Sequence, residues 1–178
     1  MKNKTPNILK IFVFAFFISS YIYLTFFYYS HRNTNLPQPK SNIVAQPITS
    51  TEKVVRVIDG DTFVIEGDIR VRLIGMDTPE MKNKNNKIDC FAQEAKDKLT
   101  SMISGKDVNL VKDVSETDRY GRLLRYVYLG DKMVNDTLVK EGYAVIATFP
   151  PDVKYENEFL TSEKMARESN LGLWSACK

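Results

Sequence analysis

Two stretches of the chain place charged residues at spacings that can do chemistry: Asp59-Gly60-Asp61-Thr62, and Arg72 followed shortly by Asp77-Thr78-Pro79-Glu80. Carboxylates gathered with an arginine repel or neutralise one another to no purpose unless a cation or a phosphate sits among them, so a metal or phosphate site is one reading. The other takes Asp59 and Asp61 as turn formers, Arg72 as a surface strand residue and Asp77-Thr78-Pro79-Glu80 as a turn or helix-cap signal. The rest of the chain narrows the chemistry. One histidine, His31, and two cysteines, Cys90 and Cys177, are too few for zinc-finger Cys/His sets or a Ser-His-Asp or Cys-His nucleophile. Work at such a site falls to carboxylates, lysines, arginines or hydroxyls.

These residues need elements to position them. Val54 to Ile58, Thr62 to Ile65 and Ile69 to Met76 are β-branched and apolar runs bounded by Asp59-Gly60 and Gly67-Asp68, which predicts a three-stranded antiparallel meander. With Gly67-Asp68 as a two-residue turn, Asp61 stands opposite Ile74 and one diagonal step from Arg72 on one sheet face. Pro79 cannot donate to a ladder, so Glu80 leaves the sheet edge into a loop. Phe91, Ala95, Leu99, Met102 and Ile103 recur at helical spacing and stop at Gly105. Val108 to Val111 and Leu123 to Leu129 supply two more strands. A short helix holds Leu138 and Val139, with Asn135 as its N-cap and Gly142 beyond its end; a last helix carries Tyr155, Phe159, Leu160 and Ala166. Five strands with about three helices predict an α+β fold, a small Greek-key barrel of the oligonucleotide-binding type.

Charge and hydropathy divide the 178 residues. Residues 1–50 hold five of the 25 Lys and Arg and none of the 22 Asp and Glu, which leaves 20 against 22 from residue 51 onward, a net of −2. A uniformly basic domain that coats DNA is unlike this balance, and any polyanion must be held by a local cluster of cations. Ile11 to Tyr29 is an uncharged run behind Lys2, Lys4 and Lys10. As a helix it reaches about 28 Å, near the hydrocarbon thickness of a bilayer, and the lysines favour a cytoplasmic N-terminus. Residues 1–32 therefore read as a signal-anchor or single transmembrane helix, with a cleaved secretory signal as the alternative. Both export the remainder to the cell surface or the medium. Residues 33–51, with Pro37, Pro39 and Pro47, read as a tether, and residues 52–178 as the folded domain. In an oxidising compartment Cys90 and Cys177 can pair, closing a loop of about ninety residues worth about 4 kcal/mol; two free thiols are the alternative.

Val57-Ile58-Asp59-Gly60-Asp61-Thr62, Arg72-Leu73-Ile74-Gly75-Met76-Asp77-Thr78-Pro79-Glu80, Asp118-Arg119-Tyr120-Gly121-Arg122 and Gly172-Leu173-Trp174 follow one another in order. Together they resemble the signatures of the staphylococcal nuclease, or thermonuclease, family across residues 53–175. The resemblance implies an oligonucleotide-binding barrel and calcium-dependent hydrolysis of phosphodiester bonds in DNA and RNA. It implies calcium on Asp61, Asp77 and the backbone carbonyl of Thr78, and catalytic roles for Arg72, Glu80 and Arg122. Tyr120 matches a position that contacts a terminal phosphate of the bound nucleotide. Lys82, Lys84 and Lys87 form a basic Asn-rich loop after Glu80 that could add sequence-blind phosphate contacts. Two features depart from the family pattern: the hairpin between Asp61 and Arg72 is shorter, and Thr148-Phe149-Pro150-Pro151 replaces an aromatic pair, leaving Phe149 as the candidate stacking face. A non-catalytic nucleic-acid-binding barrel is the competing expectation, and a monomer the default state.

Overall fold

The structure is a computed structural model that describes residues 49–177 together with residues 21, 23–25, 27 and 28. The chain divides into two units, Met1–Val44 and Ala45–Lys178. In the first, the described residues are helical. Most of the expected membrane-spanning run and most of the expected tether lie outside the described residues, among which no helix is long and apolar enough to cross a membrane.

The second unit is built on β1 (Thr49–Val57), β2 (Thr62–Ile65), β3 (Ile69–Leu73), β4 (Gly75–Asp77), β5 (Asp107–Val111), β6 (Leu123–Leu129), β7 (Lys132–Met133) and β8 (Val145–Ala147). The helices are α1 (Ala92–Ile103), α2 (Val134–Lys140), α3 (Glu156–Glu168) and the four-residue α4 (Leu173–Ala176). Strands run in the order β3-β2-β1-β5-β6-β7, and β3 also pairs in parallel with β6, Val71 facing Leu123 and Leu73 facing Arg125. That pairing closes five strands into a barrel. Alternation along β3 shows why it closes: Val71 and Leu73 are fully buried while Arg70 is exposed and Arg72 half-buried. Phe63, Leu99, Leu110 and Val127 fill the interior with them, and Tyr126 and Phe159 anchor a second apolar cluster under α3.

Four expectations need correction. The third strand is not continuous to Met76: Gly75, with φ of 83°, bends the chain, and β4 leaves to pair with β8. The hairpin turn has three residues, Glu66 to Asp68, which shifts the register by one: Thr62 faces Arg72, and Asp61 does not stand opposite Ile74. Asp61 stands beyond the end of β2 and reaches Arg72 from the turn. β1 starts at Thr49, so residues 49–51, assigned to the tether by composition, pair with β5. Asn135 is not an N-cap but lies inside the first turn of α2, fully buried. Its Nδ2 donates to the carbonyl of Ile74 and its Oδ1 accepts from the Val127 amide, each at 2.9 Å. A residue type common at helix ends here satisfies backbone groups freed by the bend at Gly75.

A Cβ at residue 75 would lie 2.2 Å from the Phe159 ring in a left-handed backbone. Gly75→Ala is expected to cost about 2–4 kcal/mol, measured by urea unfolding.

Candidate active site

Arg72 is the hub. On β3 its side chain is only 15 % exposed, and its guanidinium pairs through Nη1 with Asp61 Oδ2 and through Nη2 with Asp77 Oδ1 at 2.6 Å. Asp61 is held from further directions: Thr62 Oγ1 donates to its Oδ1 at 2.8 Å, and the Thr78 amide and hydroxyl approach its Oδ2 at 3.4 and 3.3 Å. The antiparallel β2–β3 ladder fixes Arg72, and β4 carries Asp77 at its end with Thr78 just beyond. Glu80 then turns into the loop, as Pro79 requires.

Negative charge exceeds positive here. Burial, and secondarily repulsion from Asp59, pushes the Asp61 carboxyl above its ordinary range against the pull of Arg72. Burial raises Asp77 likewise, and Asp61 adds to it. Glu80 is raised by burial and by the charges of Asp61 and Asp77. Asp61 and Asp77 share the Arg72 guanidinium, and burial above all, helped by repulsion among neighbouring carboxylates, makes all three acids resist ionisation. The acidic side chains gathered on Arg72, those of Asp61 and Asp77, offer only oxygen donors. That set suits a hard divalent cation such as calcium. Among the described residues no three His, Cys, Asp or Glu side chains gather closely enough to hold a metal ion between them.

Arg122 arrives from the other side. The parallel β3–β6 pairing sets the residue before β6 beside the end of β2, and Arg122 Nη1 donates to Thr62 Oγ1 at 3.2 Å. Asp118 clamps its far side, with Oδ2 accepting from Nε at 2.7 Å and Oδ1 accepting the Arg122 and Tyr120 amides. Although burial acts upward on Asp118, these hydrogen bonds hold its carboxyl below the usual range. Thr62, 3 % exposed, thus joins the carboxylate side of the site to the second guanidinium. Sequence reading passed over both supports. The four-residue spacing of Asp118 and Arg122 was a usable signal, whereas the reach of Thr62 to Arg122 is tertiary.

Tyr120 is 69 % exposed, and its ring lies under the guanidiniums of Arg119 and Arg122 at 4.8 and 5.5 Å. Together with Arg72, Arg122, Leu124 and Phe149 it lines a groove of about 490 Å³. Phe149, 74 % exposed, presents its ring at that groove. Lys82 and Lys84 lie elsewhere: with Glu80, Asn83 and Asn85 they line a separate hollow of about 500 Å³. The structure therefore brings Asp61, Arg72, Asp77, Thr78 and Arg122 together, with Tyr120 at the rim. The two lysines stand beyond Glu80.

Residues 70–176 match the family described as staphylococcal nuclease homologue. The chain belongs to the staphylococcal nuclease family. The matched segment takes in Arg72, Asp77, Glu80 and Arg122. A thermonuclease of Staphylococcus hyicus is 39% identical over 128 residues, covering 70% of this chain and 76% of that protein. One of Staphylococcus intermedius is 40% identical over 124 residues, covering 68% and 74%. The endonuclease YncB of Bacillus subtilis is 35% identical over 125 residues, covering 67% and 59%.

A folded carboxyl raised above its unfolded value makes the ionised form the unfavourable one, and that deficit is present above the raised pKa. Asp77→Asn keeps an oxygen acceptor for Arg72 and removes the charge. In chelator at pH 7 it is expected to melt a few degrees higher than the wild type. The gain should vanish as pH falls through the raised Asp77 value into the ordinary carboxyl range, which thermal scans across pH would follow.

Proposed function

We propose that this protein hydrolyses phosphodiester bonds of DNA and RNA with little sequence preference, using calcium as cofactor. The observation that carries the reading is the pair of arginines, Arg72 and Arg122, held at one cleft edge beside a cluster of carboxylates short of positive charge. Asp61, Asp77 and the Thr78 carbonyl would hold the cation. When bound, calcium supplies positive charge against phosphate oxygens and lowers the pKa of attached water.

The protein's own groups do the rest. Glu80, its carboxyl raised toward the range a base needs, takes the proton of a water whose oxygen attacks phosphorus. As that bond forms, the bond from phosphorus to a sugar oxygen breaks, and the departing oxygen takes a proton from solvent water while Glu80 passes its own to solvent, so that one water is consumed. Charge grows on the phosphoryl oxygens during the attack, and the two guanidiniums are placed to neutralise it. A planar fork matches two such oxygens and stays charged at any working pH, so arginine suits these positions better than lysine. Thr62 and Asp118 keep Arg122 from swinging away. Tyr120 and Phe149 offer hydrogen-bonding and stacking surfaces to a nucleotide in the groove, and every base has a face to stack, consistent with weak sequence preference. Lys82 and Lys84 would contact phosphates further along the strand in a salt-sensitive way.

We infer further that the domain works outside the cell as a monomer, anchored by the uncharged N-terminal run or secreted where that run is cleaved. The bond between Cys90 and Cys177 favours an oxidising compartment.

Incubation with plasmid DNA and with RNA, in calcium and in chelator, tests the activity directly. Cleavage in calcium alone is expected, and a gel shift without cleavage would mean a binding barrel instead. Arg122→Lys is expected to lower kcat by about 10²–10³ with its circular dichroism unchanged; near wild-type turnover would remove Arg122 from the mechanism.

A further inference from the structure

The loop that carries Glu80 is exposed, yet it is tied at its base. The Glu80 amide donates to Asp89 Oδ2 at 3.2 Å, and the Asp89 amide returns a bond to the Glu80 carbonyl at 3.0 Å. Asn83 braces the interior, with Nδ2 donating to Asp89 Oδ1 at 2.7 Å and Oδ1 accepting the Asn85 and Lys87 amides. The Asp89 side chain thus bonds both the Glu80 backbone and the brace. Lys82, Lys84, Lys87 and Ile88 are solvent-exposed, so little apolar burial holds this loop in shape.

What holds Asp89 is the chain on its far side. The next residue, Cys90, is bonded to Cys177, with Cα atoms 5.8 Å apart. Phe91 follows with φ of 69°, a left-handed backbone uncommon for a bulky residue. Its ring packs 5.4 Å from Tyr143. The partner segment is itself docked. Leu173 donates its amide to the Gly142 carbonyl at 2.8 Å, and the contact is so close that a Cβ on Gly172 would lie 2.2 Å from that oxygen. Arg167 stacks over Trp174 at 4.1 Å. The sulfur bridge therefore fastens the base of an otherwise weakly held loop to a rigid anchor.

We propose that Asp89 is a positioning residue for Glu80, and that the Cys90–Cys177 bond holds Asp89 in place, so that turnover depends on the redox state of a bond remote from the reacting atoms. The proposal rests on the reading of Glu80 as the group that activates water. Reduction by a dithiol converts the bridge to two thiols and oxidises the reductant to its own disulfide.

The test compares the full-length chain in detergent, oxidised and dithiol-reduced, with Asp89→Ala, Asp89→Asn and the double variant Cys90→Ser/Cys177→Ser. Two readouts are followed: amide hydrogen exchange by peptide, and kcat and KM on DNA. Reduction and Asp89→Ala are each expected to speed exchange across residues 80–89 at least tenfold while peptides of β2, β3 and β6 stay protected. Each is also expected to lower kcat about tenfold to a hundredfold, as misplacement of a reacting group does, with KM within threefold. Asp89→Asn, which keeps one acceptor oxygen, should lose less, and the double variant should match the reduced protein and ignore reductant. Unchanged exchange at 80–89, or unchanged kcat on reduction and in Asp89→Ala, overturns the proposal. Asp89→Ala keeps the bridge, so it decides the positioning role even if reduction loosens the barrel. An oxidised chain that cuts no nucleic acid while its loop still responds overturns the nuclease reading and leaves the tethering supported.

Discussion

Everything at the site follows from one electrostatic imbalance: a single largely buried guanidinium, Arg72, facing more carboxylate than it can neutralise. Left to themselves, these carboxylates would separate toward water, where each is better solvated. The barrel does not let them. Asp61 is confined by Thr62, Thr78 and the turn behind it, and Asp77 by the pairing of β4 with β8. The unfavourable charge state is thus a standing property of the folded protein, sustained by stability drawn from the apolar interior. A cation of the kind proposed for the cleft would relieve it.

The supports of the second guanidinium follow the same logic with the opposite sign. Arg122 has a carboxylate of its own in Asp118, so its charge is satisfied before any substrate arrives, and the Thr62 hydroxyl limits where it can point. One arginine stands in a crowd of acids and the other in a private ion pair. A phosphate entering between them meets two donors that differ in how tightly each is already engaged.

Much of this was readable from residue order, and the misses have physical causes. The strands announced themselves because β-branched and aromatic runs stop at Asp59-Gly60 and Gly67-Asp68, and Pro79 correctly ended the ladder before Glu80. Register failed by one because Glu66 joins the turn, and a hairpin's loop length, which the flanking runs do not encode, sets which residues face each other. Strands of two or three residues such as β7 and β8 are too short to show any period. Asn135 misled because its side chain serves the carbonyl of Ile74, about sixty residues away, a need created by a bend that only the fold contains. The cysteines left a choice between a bridge and two free thiols, because residue order does not say whether two sulfurs nearly ninety residues apart meet; in the fold they do. The grouping of Tyr120 with Phe149 across one groove was invisible, because it depends on how two loops meet.

The parallel pairing of β3 with β6 joins segments that lie fifty residues apart in the chain, and it brings Arg122 within reach of Thr62. Contacts of such long sequence separation form late, after the entropy of closing the intervening loop has been overcome. An unfolded copy therefore possesses every one of these side chains and no working arrangement of them until the cylinder shuts.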